Sequence, residues 1–216
     1  AAAQGGIVRR AGAAAGQARS GLVLLHGRGS TAADILGLVS HLALPQVTAI
    51  APDAPGGSWW PVSFLAPTAQ IEPHVAQAVR GVGAAIAALQ AEGLPRDRIW
   101  LAGFSQGAVL ALEAFARIGD GLAGAFALSG ALAGTGDAPG GADPALYGYG
   151  PKRFDYTGAR DGARVWISVH SRDPHIPLQR VEELLERAAG QRRSGTGRCR
   201  PVGNSSRARR NRPRGP

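Results

Sequence analysis

The sequence predicts an α/β protein, a mainly parallel sheet with helices on both faces. Three observations lead there. Short apolar runs alternate with longer stretches of helical spacing, which is the pattern of repeated βα units. The runs are apolar throughout rather than alternating, as in strands covered on both sides. Residues able to do chemistry follow these runs: His26, Asp53, Ser105 and Asp173. Those positions are the carboxyl ends of the strands, where open α/β sheets gather their sites.

Taken in order, "LVLLHG" at 22–27 is the first predicted strand, a buried run closed by Gly. Thr31 to Leu44 has helical spacing and stops before Pro45, because the residue before proline is pushed out of the helical region. "VTAIAP" at 47–52 is the second strand, followed by the loop "DAPGGSWWP". Residues 72–91 are Ala-rich and periodic, with Gly93 just past their end, and predict a long helix. "RIWLAG" at 98–103, "GAFALSG" at 124–130 and "RVWISVH" at 164–170 are further strands, with helices over 106–117 and 177–189. Right-handed crossovers distribute these helices over both faces. The Gly/Pro-rich stretch 131–163, with Tyr147, Tyr149 and Tyr156, is expected to be an irregular, mobile flap over the cleft.

Charge divides the chain. Residues 1–190 hold 15 basic and 15 acidic residues, while residues 191–216 hold nine Arg and no acid, so the tail carries the whole net charge of +9. A domain is expected over 1–190. The tail is expected to be disordered, because it has too little apolar surface to offset the entropy of ordering. Two origins stay open for it: an out-of-frame translation, or a natural polycation touching nucleic acid or an anionic membrane. No aromatic residues interleave its arginines, so no specific nucleic-acid partner is expected. Cys199 is the sole cysteine, which precludes an internal disulfide. No apolar run reaches membrane-spanning length, and the first residues lack the apolar core of a signal peptide. A cytoplasmic protein is therefore expected; the chain does not begin with Met, so a processed or partial chain stays open. The oligomeric state is left open.

The chemistry gathers around "GFSQG" at 103–107. A Gly-x-Ser-x-Gly between a strand and a helix lets a strained serine project its hydroxyl above the sheet, with glycines removing side chains that would crowd it. Ser105 is the expected nucleophile. An oxyanion requires two N–H donors. One falls to Gln106, directly after the nucleophile, and the other to Arg28 in "HGRG", where flanking glycines permit close approach. Asp173 in "SRDPHIP" stands where the chain order Ser…Asp…His would put the acid, and also fits an N-cap for the next helix. Trp59, Trp60 and Phe64 are candidates for a substrate pocket wall; for the two tryptophans, packing into the core is equally open.

The segments "LLHGRGSTAADIL", "PDAPGGSWWP", "GFSQGAVLALEAF", "ALSGAL" and "DPHIPLQRVEE" resemble the phospholipase/carboxylesterase family of α/β-hydrolases, from about residue 20 to 189. The resemblance implies a Ser-His-Asp esterase acting on a small-molecule ester or thioester. It implies Ser105 as nucleophile, Asp173 as acid, backbone donors from Arg28 and Gln106, and no metal or organic cofactor. It also implies a catalytic histidine on a Gly-His loop, one strand beyond the acid. Here that region is the Arg-rich tail, and it contains no His; the last strand and helix are expected to be missing with it. The five histidines present are His26, His41, His74, His170 and His175. His175, closest to Asp173, is the candidate substitute base. A serine without a general base is a weak nucleophile, so low activity is expected. The alternative is a non-catalytic binding protein of the same fold.

Overall fold

The computed structural model describes residues 8–156 and 164–184. The expected tail at 191–216 lies outside them. Strands β1 (Val8–Gly12), β2 (Ser20–Leu25), β3 (Val47–Pro52), β4 (Ile99–Phe104), β5 (Gly124–Leu128) and β8 (Val165–Ser168) form one six-stranded sheet. Its order is β1-β3-β2-β4-β5-β8. All pairings are parallel except β1 with β3, which is antiparallel. The edge strand β1 is absent from the sequence-based expectation. Its residues, "VRRAG", are mostly exposed and have no apolar run to reveal them. A short two-stranded ribbon, β6 (Gly136–Asp137) with β7 (Lys152–Arg153), stands apart.

Helices cover the two faces unequally. Helix α1 (Ala32–His41) packs through Ile35, Leu36 and Val39 on Leu22, Leu24, Ala49 and Ala51. A capping box between Thr31 and Asp34 starts it, and Asp53 Oδ1 accepts a hydrogen bond from Ala32 N–H at 2.6 Å. Asp53 thus supports a helix end. The opposite face carries α2 (Thr68–Ala91) and α3 (Gln106–Ile118), whose apolar sides close over Val23, Leu25, Ile50, Ile99 and Leu101. Helix α2 begins a turn earlier than the sequence suggests and runs through Pro73. So close to the helix start, proline removes a single backbone bond. Residues 178–184 are helical (α4) and pack through Val181 and Leu184 on the α3 side.

On the α1 side the covering stops at β4. In-register pairing aligns Ala102 with Phe126 and Phe126 with Trp166, and aligns Phe104 with Leu128. These residues share one face, and Phe104, Phe126, Leu128 and Trp166 are 50%, 39%, 41% and 53% exposed. Among the described residues no strand lies outside β8 and nothing covers this apolar face.

Of the expected flap at 131–163, residues 131–156 are described, and they are bonded to the helices below them; 157–163 lie outside the described residues. Glu113, buried in α3, accepts from Ala133 N–H at 2.8 Å, Gly134 N–H at 3.3 Å, the Tyr156 hydroxyl and Arg117 Nε at 2.8 Å. Burial pushes the Glu113 carboxyl pKa up, and the Arg117 guanidinium and the Tyr156 hydroxyl oppose that rise. Arg117 also forks onto Glu72. On the ribbon, buried Lys152 donates to Ala66 O at 2.6 Å and pairs with Asp137 at 2.5 Å, while Asp137 accepts from Thr68 N–H. Charged groups thus fasten this region to the start of α2 and to the second half of α3.

Candidate active site

Ser105 joins β4 to α3 with φ +53° and ψ −119°. A non-glycine residue there carries strain of about 1–3 kcal/mol. Its neighbours make the turn possible. A Cβ on Gly103 would lie 2.1 Å from Gly107 O, and a Cβ on Gly107 would lie 2.1 Å from Leu25 O. In both cases the added carbon meets fixed backbone, so only glycine fits. Ser105 N–H donates to Leu128 O at 2.9 Å, which ties the elbow to β5. Among the described residues, the Ser105 hydroxyl has no hydrogen-bond partner. The Arg28 and Gln106 amides likewise have no acceptor there. Gln106 is the first residue of α3, so its N–H points out of the helix N-terminus.

Asp173 follows β8. Its Oδ1 accepts from His175 N–H and Ile176 N–H, both at 2.9 Å, and its Oδ2 accepts from the Ser129 hydroxyl at 2.8 Å. Burial would raise its pKa. The His175 amide, the Ser129 hydroxyl and the Ile176 amide, with the nearby His175 side chain, together bring it below the ordinary 3.8. The two backbone bonds close the turn over 173–176, ahead of the helix that begins at residue 178, so one carboxylate oxygen serves the local turn and the other accepts from Ser129. Ser129 N–H donates to Ser168 O at 2.7 Å and Ser105 N–H to Leu128 O, so the elbow, Ser129 and Asp173 hang on adjacent strand ends.

Because the folded-state pKa of Asp173 is depressed, its contribution to stability is complete above the unfolded value. It is lost as pH falls through the folded one. The Asp173→Asn chain should therefore be less stable than wild type near neutral pH, with the gap closing below about pH 4. Thermal melts of both chains between pH 7 and pH 3 measure this. A gap that is constant across the range would remove the carboxylate charge from the explanation.

The histidines are all accounted for. His26 is fully buried; its Nδ1 meets Gly27 O at 2.8 Å and its Nε2 accepts from Ala54 N–H at 3.0 Å. It braces the 26–29 loop. His41 Nδ1 lies 2.8 Å from Gly37 O in α1, and His170 Nδ1 accepts from Arg172 N–H. His74 lies on α2, and His175 is exposed beside Asp173. None of the five hydrogen-bonds the Ser105 hydroxyl.

Trp59, Trp60 and Phe64 are buried in the main core. The Trp59 ring lies 5.1 Å from the His26 ring and donates Nε1–H to His26 O at 2.9 Å. Two concavities lie elsewhere. One of about 420 Å³ is bounded by Arg10, Thr48 and Glu92, and one of about 240 Å³ by Glu72, Arg117 and Tyr156. Ser129 escaped the sequence reading; a polar residue closing a buried strand next to the elbow strand was the available signal.

A model of the phospholipase/carboxylesterase family matches residues 11–143. Among solved structures, a phospholipase/carboxylesterase from Dyadobacter fermentans DSM 18053 is 34% identical with a TM-score of 0.70, over 85% of this chain and 81% of that one. Esterase PE8 is 26% identical with a TM-score of 0.62, over 85% of this chain and 83% of its own. A Bacillus cereus carboxylesterase, at 17% identity and TM-score 0.61 over 85% and 79%, shares the fold. Together with the glycine-flanked serine at the end of β4, these matches show that the chain belongs to the phospholipase/carboxylesterase family of α/β-hydrolase-like proteins.

Proposed function

We propose that this chain is a serine hydrolase of carboxylic esters or thioesters, built around Ser105 and slowed by the lack of a histidine general base. The observation that carries the reading is the strained Ser105, whose hydroxyl is free of partners at a glycine-flanked strand–helix turn. Its oxygen would add to the substrate carbonyl while its proton passes to a base. The resulting oxyanion would accept from the Arg28 and Gln106 amides. Collapse would release the alcohol or thiol and leave an acyl group on Ser105, and water would then free the acid. Asp173, ionised and oriented, would stabilise an imidazolium in a complete triad. Losing a triad member costs several orders of magnitude, with residual catalysis left to the oxyanion hole.

Incubation with a fluorophosphonate probe should label Ser105 slowly, and Ser105→Ala should abolish the label. Turnover of p-nitrophenyl acetate should be feeble and Ser105-dependent. Rapid turnover would overturn the slowed-enzyme reading. A folded chain that never labels would favour a second reading, a binding protein of the same fold, which the lack of any imidazole bonded to the Ser105 hydroxyl also supports.

A further inference from the structure

The two residues assigned as oxyanion donors have a second feature in common: both send their side chains to one short segment. Arg28 Nη1 donates to Pro61 O at 3.0 Å and Nη2 to Val62 O at 2.6 Å. Gln106 Oε1 accepts from Trp59 N–H at 3.0 Å, and Nε2 donates to Trp60 O at 2.9 Å. The Ser58 hydroxyl donates to Trp60 O at 2.7 Å and meets the Gln106 amide at 3.3 Å. Next to these, Gly29 N–H donates to Gly57 O at 2.8 Å, and Trp59 Nε1–H donates to His26 O. Residues 26–29 and the start of α3 are far apart in the chain, and residues 57–62 bridge them.

We propose that residues 58–62 are the positioning element of the oxyanion hole, and that Arg28 and Gln106 hold it with their side chains while offering their amides to the substrate oxyanion. This rests on Ser105 being the nucleophile. The physical reason is rigidity. An amide stabilises a developing charge only when it is fixed before reaction, and displacement by about 1 Å can cost on the order of a hundred-fold in rate. Arg28 lies on a loop with positive-φ Gly29, which by itself would be loosely held. Its guanidinium forks onto two adjacent carbonyls and fixes the loop at both ends of the same residue. Gln106 is held at the helix start, but its amide side chain both accepts from and donates to the tryptophan backbone, so it fixes where 59–60 sits. Because both clamps grip one segment, loosening either should loosen the other.

The test is the rate of phosphonylation of Ser105 by a fluorophosphonate, whose phosphoryl oxygen occupies the oxyanion position. Arg28→Ala and Gln106→Ala should lower the maximal labelling rate constant about ten- to hundred-fold, with the concentration for half-maximal rate nearly unchanged. Arg28→Lys, which can reach one carbonyl but cannot fork, should recover part of the loss. The double variant should be much less than multiplicative. Arg80→Ala, an exposed arginine on α2, should label like wild type. Wild-type rates in both single variants would overturn the proposal while leaving Ser105 as the nucleophile. Fully multiplicative effects would also overturn it, since they deny the shared segment. A wild-type chain that does not label at Ser105 would sink the nucleophile itself. Gln106 is buried, so a Gln106→Ala chain that does not fold leaves the decision to Arg28→Ala, whose guanidinium is exposed.

Discussion

Gly107→Ala is expected to destroy the fold rather than merely the site. The new Cβ would lie 2.1 Å from Leu25 O and 2.5 Å from His26 O. Neither oxygen can retreat cheaply. Leu25 ends β2, which is hydrogen-bonded between β3 and β4 in the middle of the sheet, and His26 is held by Ala54 N–H, Gly27 O and Trp59. Relief would require α3 to lift off β2, opening the contact between Val109 or Leu110 and the core. Overpacking against side chains costs about 1–3 kcal/mol. Against fixed backbone a loss above about 4 kcal/mol is expected, which consumes most of a typical domain's stability. The control is Gly81→Ala on the exposed side of α2, where a Cβ meets nothing within 4 Å. That change should stabilise by roughly 0.5–1 kcal/mol through helix propensity. Circular-dichroism melts of the three chains decide it. A Gly107→Ala chain melting within a few degrees of wild type would mean that helix and strand are not in close contact at the elbow.

The contrast between these glycines shows what a sequence exposes and what it hides. Elbow glycines sit at fixed offsets from Ser105, so their role is written locally. The central strands are legible for the same reason: burial on both faces demands an uninterrupted apolar run, and "LVLLHG" or "VTAIAP" has no other economical reading. Edge strand β1 escapes because an edge need not be apolar; Arg9 and Arg10 point to water and pair with Asp53 and Glu92. Glu113 and Lys152 escape because charged residues are ordinarily solvated, and only the fold brings Arg117 and Tyr156 to the first or Asp137 and Ala66 O to the second. The Arg28 and Gln106 clamps span sequence separations of 33 to 47 residues, with no periodicity to announce them. Arg28 and Gln106 were named as candidate donors from their motifs; the side-chain bonds they make to residues 59–62 had no such local signal.

Replacing everything after residue 184 with the corresponding C-terminal segment of the Dyadobacter fermentans relative is expected to produce the largest gain. Two separate deficits meet at that end of the chain. The first is catalytic: under the proposed function Ser105, the Arg28 and Gln106 amides and Asp173 would form the site, yet no imidazole bonds the Ser105 hydroxyl. Supplying the family's histidine should raise Ser105-dependent ester turnover by on the order of a thousand-fold or more. The second is structural: among the described residues, nothing covers the half-exposed Phe104, Phe126, Leu128 and Trp166, and no strand lies beyond β8. A strand along β8 and a helix over that face should return on the order of 1 kcal/mol for each half-exposed side chain buried, and should suppress self-association through the edge. The effects separate cleanly. A graft whose own histidine is replaced by Ala should keep the higher melting temperature and the monodisperse elution, yet hydrolyse no faster than the original chain. If that control were as active as the full graft, the base would have to come from His175 or another residue already present. If neither graft gained stability, the face formed by β4, β5 and β8 would not be where the family's last helix packs.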